Sequence, residues 1–396
     1  MAVASQVAAM LAGGSVIRKL FTEGEEMRKL HGRDRVYDFT LGNPDVEPPP
    51  EFAAALRAIL EEPIPNKHGY MASAGLLETR EFVAESVTAS RGVPVTPDLV
   101  TMTVGAGSAL SLAFAVTVNP GDRVIANAPA FVSYANYLSV HRGVLDLVPG
   151  REDFSLDLAG IESRLGPDVA AVLVNSPNNP SGAIYSAESL QALAAMLERA
   201  SVRTGRRIYL ISDEPYREIV YDELGVPSPF SFYDHSILCY SWSKSLSIPG
   251  ERIGYAAIHP RAEDAGLLAR GMTAMTQNMG YTNAPALMQR AVARLGTVSV
   301  PVEAYRRRRD LLAAGLRESG YDFVLPRGAF YLFPKAPGGD DLAFCQALKD
   351  ERILAVPGTG FGMPGWFRLS YCVGENSIRE SLPGFAKARQ RFSAKT

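Results

Sequence analysis

Short apolar runs alternate with amphipathic stretches through the middle of the chain. The apolar runs lie at 99–104, 123–128, 170–175, 207–212, 237–241 and 252–258. Helix-like stretches separate them, and this order predicts an α/β fold with a mainly parallel central sheet flanked by helices. Ligands bind to such sheets where the strands end and the loops begin, so we expect the chemical groups at those ends.

The pattern before this region predicts shorter elements. The positions from 15 to about 30 follow a helical period, with Ser15 as the N-cap. A short strand at 36–41 ends in a Gly-Asn-Pro-Asp turn at 42–45. The next predicted helices are 51–60 and 77–86.

The pattern changes after residue 291. A long helix at 302–318, a hairpin-like run at 328–333 and a helix at 341–349 predict an α+β unit. Three consecutive prolines at 48–50 form a stiff connector, which suits a boundary between domains. We therefore predict three parts, of which the first and third pack together as one small domain: an N-terminal arm and segment (1–48), a large cofactor-binding domain (49–290) and a C-terminal small domain (291–396).

Composition and charge narrow the class of protein. The 396 residues are 47% hydrophobic and 21% charged, as in an ordinary globular protein with room for two domains. A formal net charge of −2 offers no basic surface, so we expect no nucleic-acid or membrane partner. The apolar residues 1–13 are too short to span a bilayer and lack a basic leader, so we expect a helical arm. The three cysteines and five histidines show no disulfide or metal-ligand spacing, which predicts a cytoplasmic protein with no metal site.

The segment from Ser241 to Tyr255 carries the strongest chemical signal. Lys244 stands between Ser243 and Ser245, and Arg252 follows eight positions later. Burial and a nearby cation both lower the pKa of a lysine and leave a free amine that can form a Schiff base. Serine hydroxyls and a guanidinium fork suit a phosphate. An amine for an aldehyde beside donors for a phosphate indicates pyridoxal 5′-phosphate, although the same residues would also suit a surface loop.

A second candidate for phosphate binding follows the first predicted strand. Ala106, Gly107 and Ser108 open a predicted helix, whose N-terminal N–H groups and small side chains favour an anion. A dinucleotide-binding fold could also use a Gly-x-Gly sequence here. That alternative lacks its third glycine and leaves Lys244 and Arg252 without a role.

Two charged residues in apolar strands require partners of opposite charge. Asp213 ends the apolar run at 207–212, where a protonated pyridine nitrogen is a natural cation for it, although a helix cap is the commoner role. Arg368 lies inside the apolar run Trp366–Ser370 and requires an anion. A structural pair with a nearby acid is the alternative for this arginine.

These motifs together resemble the class I and II aminotransferases, which are enzymes of fold type I and depend on pyridoxal 5′-phosphate. The resemblance rests on Ser-x-Ser-Lys with Arg252, on Asn-Asn-Pro-Ser-Gly at 178–182 and on Asp-Glu-Pro-Tyr at 213–216, and it extends from about Ser15 to the end. It implies that Lys244 carries the cofactor and that Ser241, Ser243 and Arg252 hold the phosphate.

The resemblance also assigns roles to further residues. It implies that Asn179 and Tyr216 donate to the 3′ oxygen of the cofactor and that Phe131 stacks on its ring. Gly42, Asn179 and Arg368 are expected at the substrate carboxylate. Tyr70 would reach the cofactor phosphate of a neighbouring subunit, which implies a homodimer. Ser181 stands where the family usually has threonine, and it keeps the hydroxyl.

The predicted activity is transfer of an amino group between an L-amino acid and a 2-oxo acid by a ping-pong mechanism. A lyase, racemase, decarboxylase, cyclase or carbon–carbon bond-forming synthase would use the same groups and stays an alternative. A transcription regulator that senses the cofactor would need a longer segment before the predicted body than residues 1–14. The segment 277–281 lacks a basic residue, and Gly107 stands where some aspartate-specific members carry lysine, so the sequence weighs against aspartate and leaves the donor open.

Overall fold

The computed structural model describes residues 3, 7–8 and 16–393, so the predicted cap at Ser15 and most of the predicted arm at 1–13 lie outside the described residues. The described helices are α1 (Val16–His31), α2 (Pro50–Glu61), α3 (Leu77–Arg91), α4 (Ala106–Thr117), α5 (Tyr134–Val140), α6 (Leu158–Glu162), α7 (Ala187–Thr204), α8 (Trp242–Ser245), α9 (Ala265–Asn278), α10 (Ala286–Leu295), α11 (Val302–Glu318), α12 (Asp341–Asp350) and α13 (Glu375–Ser393). None of these described helices combines the length and the apolar composition needed to cross a membrane.

Strands and short 3₁₀ helices occupy the segments between these helices. The described strands are β1 (Tyr37–Asp38), β2 (Val100–Thr103), β3 (Arg123–Asn127), β4 (Val144–Val148), β5 (Val169–Asn175), β6 (Tyr209–Asp213), β7 (Ser236–Ser241), β8 (Gly254–Ile258), β9 (Tyr331–Leu332), β10 (Ile353–Leu354), β11 (Val356–Pro357) and β12 (Phe367–Ser370). The 3₁₀ helices are Arg33–Arg35, Pro97–Leu99, Pro229–Ser231, Pro249–Glu251, Pro337–Gly339 and Gly358–Phe361.

The large sheet has the predicted mainly parallel arrangement. Within the described residues, seven strands form it in the order β2-β8-β7-β6-β5-β3-β4. The five strands β4, β3, β5, β6 and β7 run parallel to one another, and β8 runs antiparallel to both β2 and β7. The predicted fold class is therefore confirmed, and the six predicted strands of this region are all present.

One strand of this sheet, β4, was not predicted from the sequence. It lies at the edge of the sheet beside β3, and its first residue, Val144, is 51% exposed. Its central Asp146 accepts a hydrogen bond from Arg123 (2.5 Å). An edge strand with a charged side chain lacks the continuous apolar run that identifies a strand covered on both faces.

Helices cover both faces of the large sheet because neighbouring strand residues point to opposite sides. In β6, Leu210 packs in the cluster that contains Leu193 and Leu197 of α7. The next residue, Ile211, packs in the cluster on the other face, which contains Phe114 of α4. The interior strands therefore carry apolar residues at consecutive positions, which explains why they were predictable.

Local capping fixes the ends of α7. The Ser186 side chain accepts a hydrogen bond from the Ser189 backbone N–H (3.2 Å), as an N-cap does. Gly205 ends the helix in the left-handed region, with φ of 68°, where glycine meets no steric penalty. These signals are local, and the helix bounds follow from them.

Two smaller sheets join the beginning of the described chain to its last third. β1 pairs in parallel with β10, with Tyr37 opposite Ile353. β12 pairs antiparallel with both β11 and β9. The predicted hairpin-like run at 328–333 therefore contributes only the short strand β9, whose partner β12 carries Arg368. Phe39 packs in the same buried cluster as Phe344 and Phe367.

Candidate active site

The carboxyl ends of three adjacent parallel strands lie side by side. Asn175 at the end of β5 is in register with Asp213 at the end of β6. Ser241 ends β7, the next strand, and α8 begins directly after it with Lys244 in its single turn. A cavity of about 400 Å³ opens at this edge. The predicted site residues that line it are Gly42, Ala106, Gly107, Phe131, Asn179, Asp213, Tyr216, Ser241, Ser243, Lys244, Arg252 and Arg368.

Lys244 presents its amine to this cavity under conditions that favour the neutral form. Its Nζ donates to the Gly42 carbonyl oxygen (2.7 Å). Removal from water, together with the positive charges of Arg252 and Arg368, lowers its pKa to about 8. Cys372 lies nearby, but burial raises its own pKa to about 12, so it is a neutral thiol at pH 7. About a tenth of the amine is therefore neutral at pH 7, far more than for a lysine in water.

Asp213 holds one carboxylate oxygen ready for a further partner. Its Oδ2 accepts a hydrogen bond from the Tyr134 hydroxyl (2.6 Å) and a longer one from Asn175 Nδ2 (3.4 Å). Its Oδ1 is buried and has no hydrogen-bond partner among the described residues. Burial raises the pKa of Asp213 to about 7, since the charge has no cation beside it. A bound cationic group would lower this pKa again, so the carboxylate fits a protonated ring nitrogen.

The N-terminus of α4 lies beside Arg252 at the cavity. Gly105 precedes the helix with φ of 88°, and a Cβ at this position would lie 2.5 Å from Arg252 Nη2. Arg252 itself is held by the carbonyl oxygens of Val104 (3.1 Å) and Pro249 (2.8 Å). Only glycine allows this close approach. The unpaired N–H groups at Ala106 and the guanidinium can therefore act on the same anion.

Two serine hydroxyls lie beside this guanidinium. The Oγ atoms of Ser241 and Ser243 are 2.7 Å apart, and Arg252 Nη1 lies 3.5 Å from the Ser243 Oγ. The Ser241 hydroxyl also caps α8 by accepting from the Ser243 backbone N–H (3.2 Å). Hydroxyls and a guanidinium in this arrangement are suited to the oxygens of a phosphate.

Arg368 is a further buried cation that lines the cavity. Its Nη1 donates to Asn179 Oδ1 (3.0 Å), its Nη2 donates to the Thr40 carbonyl oxygen, and its Nε has no partner among the described residues. Burial lowers its pKa. None of the described ion pairs joins Arg368 to a carboxylate, so no such pair supports the alternative of a structural salt bridge. A buried guanidinium with only neutral partners can bind a carboxylate.

The structure does not bring Ser108 and Tyr70 to this cavity. The Ser108 hydroxyl donates to the Tyr281 hydroxyl (2.6 Å), and its side chain does not line the cavity. Tyr70 is 87% exposed. Its predicted contact would be with a second subunit, so it stays a prediction.

Sequence analysis missed several residues of the site. Tyr134 bonds to Asp213, and Asn175 donates to the Asp213 carbonyl oxygen (2.9 Å). Tyr331 bonds to Tyr216, with their hydroxyl oxygens 2.9 Å apart. Further lining residues without a predicted role are Thr40, Leu41, Leu110, Val132, Ser133, Tyr137, Pro215 and Pro249. Asn175 and Tyr134 belong to motifs that follow predicted strands, and this position could have identified them as site residues. Nothing in the sequence around Tyr331 distinguishes it from a core residue.

Comparisons with known proteins show what the chain is similar to. The family model described as "Aminotransferase class I and II" matches residues 34–382. The "Probable aspartate/prephenate aminotransferase" of Thermus aquaticus is 35% identical over 360 residues, which cover 89% of this chain and 91% of that protein.

Solved structures extend the likeness to the fold. An aminotransferase from Eubacterium rectale is similar with a TM-score of 0.96 and 37% identity, over 99% of each chain. The aspartate aminotransferase of Thermus thermophilus, solved with maleate, gives a TM-score of 0.88 and 31% identity, over 98% of this chain and 100% of that one.

Proposed function

The chain belongs to the class I and II aminotransferases, and from that premise we propose that its cavity binds pyridoxal 5′-phosphate on Lys244. The activity is transfer of an amino group between an L-amino acid and a 2-oxo acid. The lyase, racemase, decarboxylase, cyclase and synthase alternatives are not favoured, because the similar proteins are named aminotransferases.

The arrangement of Asp213, Lys244 and Arg252 carries the assignment of the cofactor. The buried Asp213 Oδ1 lacks a hydrogen-bond partner among the described residues, and it lines the same cavity as the amine and the guanidinium. These groups match a ring nitrogen, an aldehyde and a phosphate. When bound, the cofactor supplies an aldehyde for the amino group and a ring that withdraws electrons from the substrate α-carbon.

Asp213 keeps the ring in the form that withdraws electrons. Its free carboxylate oxygen would face the ring nitrogen and hold a proton there. Tyr134 fixes the other oxygen, so the carboxylate does not need to reorient. Electrostatic stabilisation of this kind is effective because the buried carboxylate is already oriented.

Lys244 moves the proton of the reaction. Its Nζ, with a pKa near 8, would take the proton from the substrate α-carbon and hold it for the return step. Because it is neutral for part of the time at pH 7, it serves as a base and, once protonated, as an acid. The Gly42 carbonyl oxygen, 2.7 Å from Nζ, orients the amine.

Arg368 and Asn179 position the substrate. The guanidinium would bind the α-carboxylate through two N–H groups. The Asn179 backbone N–H donates to Asn175 Oδ1 (2.7 Å), and this bond fixes the position of the residue. Its side chain contacts Arg368 and would also reach the cofactor's 3′ oxygen. Tyr216 would donate to the same oxygen, Phe131 would stack on the ring, and the Gly42 backbone would face the carboxylate.

We further propose a homodimer in which Tyr70 reaches the partner's cofactor phosphate. The exposed position of Tyr70 is compatible with such a contact. We also propose the domain division into residues 1–48, 49–290 and 291–396, with the first and third parts packed together as one small domain. The pairing of β1 in the first part with β10 in the third supports this arrangement. A cytoplasmic location suits the three buried, free thiols of Cys239, Cys345 and Cys372.

The cofactor and the reaction are tested separately. Borohydride reduction followed by peptide mass analysis is expected to find the cofactor on Lys244 in the wild type and no modification in Lys244→Ala. A scan of amino donors, with aspartate included, against 2-oxoglutarate, pyruvate and prephenate is expected to yield 2-oxo acids by product mass.

The outcomes separate the two claims. No oxo-acid product from any donor would contradict transamination and leave the cofactor assignment standing. Cofactor attached to another lysine in the wild type would contradict the site. Lys387→Ala is a matched control, since Lys387 lies at an exposed ion pair with Glu351 and is expected to retain full attachment.

A further inference from the structure

Tyr331 joins two parts of the site that the sequence presents separately. It lies on β9, next to the strand β12 that carries Arg368, with Tyr331 opposite Ser370. Its hydroxyl oxygen is 2.9 Å from the Tyr216 hydroxyl oxygen, and its ring centre is 4.7 Å from the Arg368 guanidinium carbon. The side chain is 2% exposed.

We infer that Tyr331 is a positioning residue that donates to Tyr216 through its hydroxyl and supports Arg368 with its ring. This inference rests on the proposed function, because it acts on the groups assigned there to the cofactor and the substrate carboxylate. The hydroxyl contact leaves the Tyr216 O–H free to point into the cavity. The ring contact fixes the plane of the guanidinium.

The packing around the hydroxyl limits where it can move. A Cβ on Gly42 would lie 1.7 Å from the Tyr331 hydroxyl oxygen, so this oxygen sits directly against the Gly42 backbone. The Gly42 carbonyl oxygen in turn accepts from Lys244 Nζ. Tyr331 therefore contacts three groups of the site. These are Gly42, whose carbonyl oxygen orients the Lys244 amine, Tyr216, the proposed donor to the 3′ oxygen, and Arg368, the proposed carboxylate-binding residue.

The direction of the hydrogen bond follows from the role proposed for Tyr216. The distance alone allows either hydroxyl to donate. Each hydroxyl carries one proton, and the Tyr216 proton is assigned to the 3′ oxygen of the cofactor. Tyr331 is therefore the donor and Tyr216 the acceptor in this pair.

The guanidinium of Arg368 contacts two aromatic rings. The Tyr331 ring centre is 4.7 Å and the Phe361 ring centre 5.0 Å from its central carbon. Contacts of a cation with aromatic faces are most favourable where water is excluded, as it is around this buried arginine. Loss of the Tyr331 ring would therefore leave the guanidinium less firmly held for a bidentate carboxylate.

Two substitutions separate the roles of the hydroxyl and the ring. Tyr331→Phe removes the donor and keeps the ring, so the pH midpoint of the cofactor's absorbance change is expected to rise by about half a unit, because Tyr216 becomes a weaker donor. Tyr331→Leu also removes the ring, and the dissociation constants of 3-phenylpropanoate and maleate are expected to rise about tenfold. In Tyr331→Phe these constants are expected to change less than in Tyr331→Leu.

A matched control lies in the same buried cluster. Tyr371 also bonds to another tyrosine hydroxyl, that of Tyr221 (3.2 Å), but it does not line the cavity. Tyr371→Phe is expected to lower the thermal unfolding midpoint as Tyr331→Phe does, and to leave the absorbance midpoint and both dissociation constants unchanged. A merely structural role for Tyr331 would make the two variants alike.

A double-mutant cycle gives an independent check. In a Tyr216→Phe background, Tyr331→Phe is expected to add no further shift of the absorbance midpoint, because its acceptor is gone. Additive shifts, or a wild-type midpoint in Tyr331→Phe, would overturn the inference while the proposed function stands. A wild type without cofactor absorbance would contradict the proposed function and the inference together.

Discussion

Replacing Arg91 with methionine would leave a buried carboxylate without its main cation. Arg91 on α3 and Glu214, the residue after Asp213, form an ion pair with 2.9 Å between Nη2 and Oε2. Their side chains are 4% and 0% exposed. Burial alone would raise the pKa of Glu214, but Arg91 and Arg217 outweigh it and lower this pKa.

The size of the effect follows from what remains around Glu214. Removing one partner of a buried ion pair typically costs about 3–5 kcal/mol. Here Arg217 Nη1 stays 3.5 Å from Oε2, and the hydroxyls of Ser212 and Ser228 still donate to Oε1. We therefore expect Arg91→Met to lower the free energy of unfolding by about 3 kcal/mol, at the lower end of that range.

The loss depends on pH with a defined sign. Because the pKa of Glu214 is lowered in the folded protein, the contribution of the pair is fully present above the ordinary value of 4.5 and is lost as the pH falls through the folded value. In the variant the Glu214 carboxylate lacks Arg91, so its pKa rises. As the pH falls, Glu214 therefore becomes protonated earlier than in the wild type, and protonation removes the cost of a buried charge. The difference from the wild type is expected to be larger at pH 8 than at pH 5.5.

Urea unfolding at both pH values, at one protein concentration, measures this difference. Arg294→Met is the control, since its pair with Glu62 (2.6 Å) is exposed to solvent and screened, and little change is expected. Arg91→Met combined with Glu214→Gln is expected to lose less than Arg91→Met alone. A loss below about 1 kcal/mol, or one that is equal at both pH values, would refute the reasoning about burial.

Three further predictions concern the site itself. Tyr134→Phe removes the hydrogen bond to Asp213 and is expected to slow single-turnover amino transfer about tenfold, because a bond to a charged group contributes roughly 1.5–3 kcal/mol; an unchanged rate would count against the positioning of Asp213. Gly42→Ala places a methyl group 1.7 Å from the Tyr331 hydroxyl and is expected to raise KM about tenfold or more in a folded protein, as checked by steady-state kinetics and circular dichroism. In the cofactor-free enzyme, the stopped-flow rate of cofactor attachment is expected to reach half of its maximum near pH 8, the pKa of Lys244, and to level off about one pH unit higher; a rise that continues to pH 10 would contradict the lowered pKa.

The sequence determined the architecture because its signals are local. Interior strands such as β5 are buried at every position, so their apolar runs are continuous and recognisable. Lys244, Arg252 and Asp213 could be proposed from the sequence because each lies in a short motif next to a strand, and the topology brings these motifs to one cavity. The resemblance to a family added roles to these positions, and the lining of one cavity by all three supports the roles.

Only the tertiary structure decided the contacts between distant parts of the chain. The bond between Tyr134 and Asp213 joins residues 79 positions apart, and the bond between Tyr216 and Tyr331 joins residues 115 positions apart. No helical or strand period relates such positions. A buried tyrosine also shows the same sequence pattern whether its hydroxyl bonds to a site residue or lies within the hydrophobic core. The direction of the Ser108 hydroxyl toward Tyr281 was hidden for the same reason. Period and composition describe a residue's own element, whereas the partner of a buried polar group is set by which elements pack together.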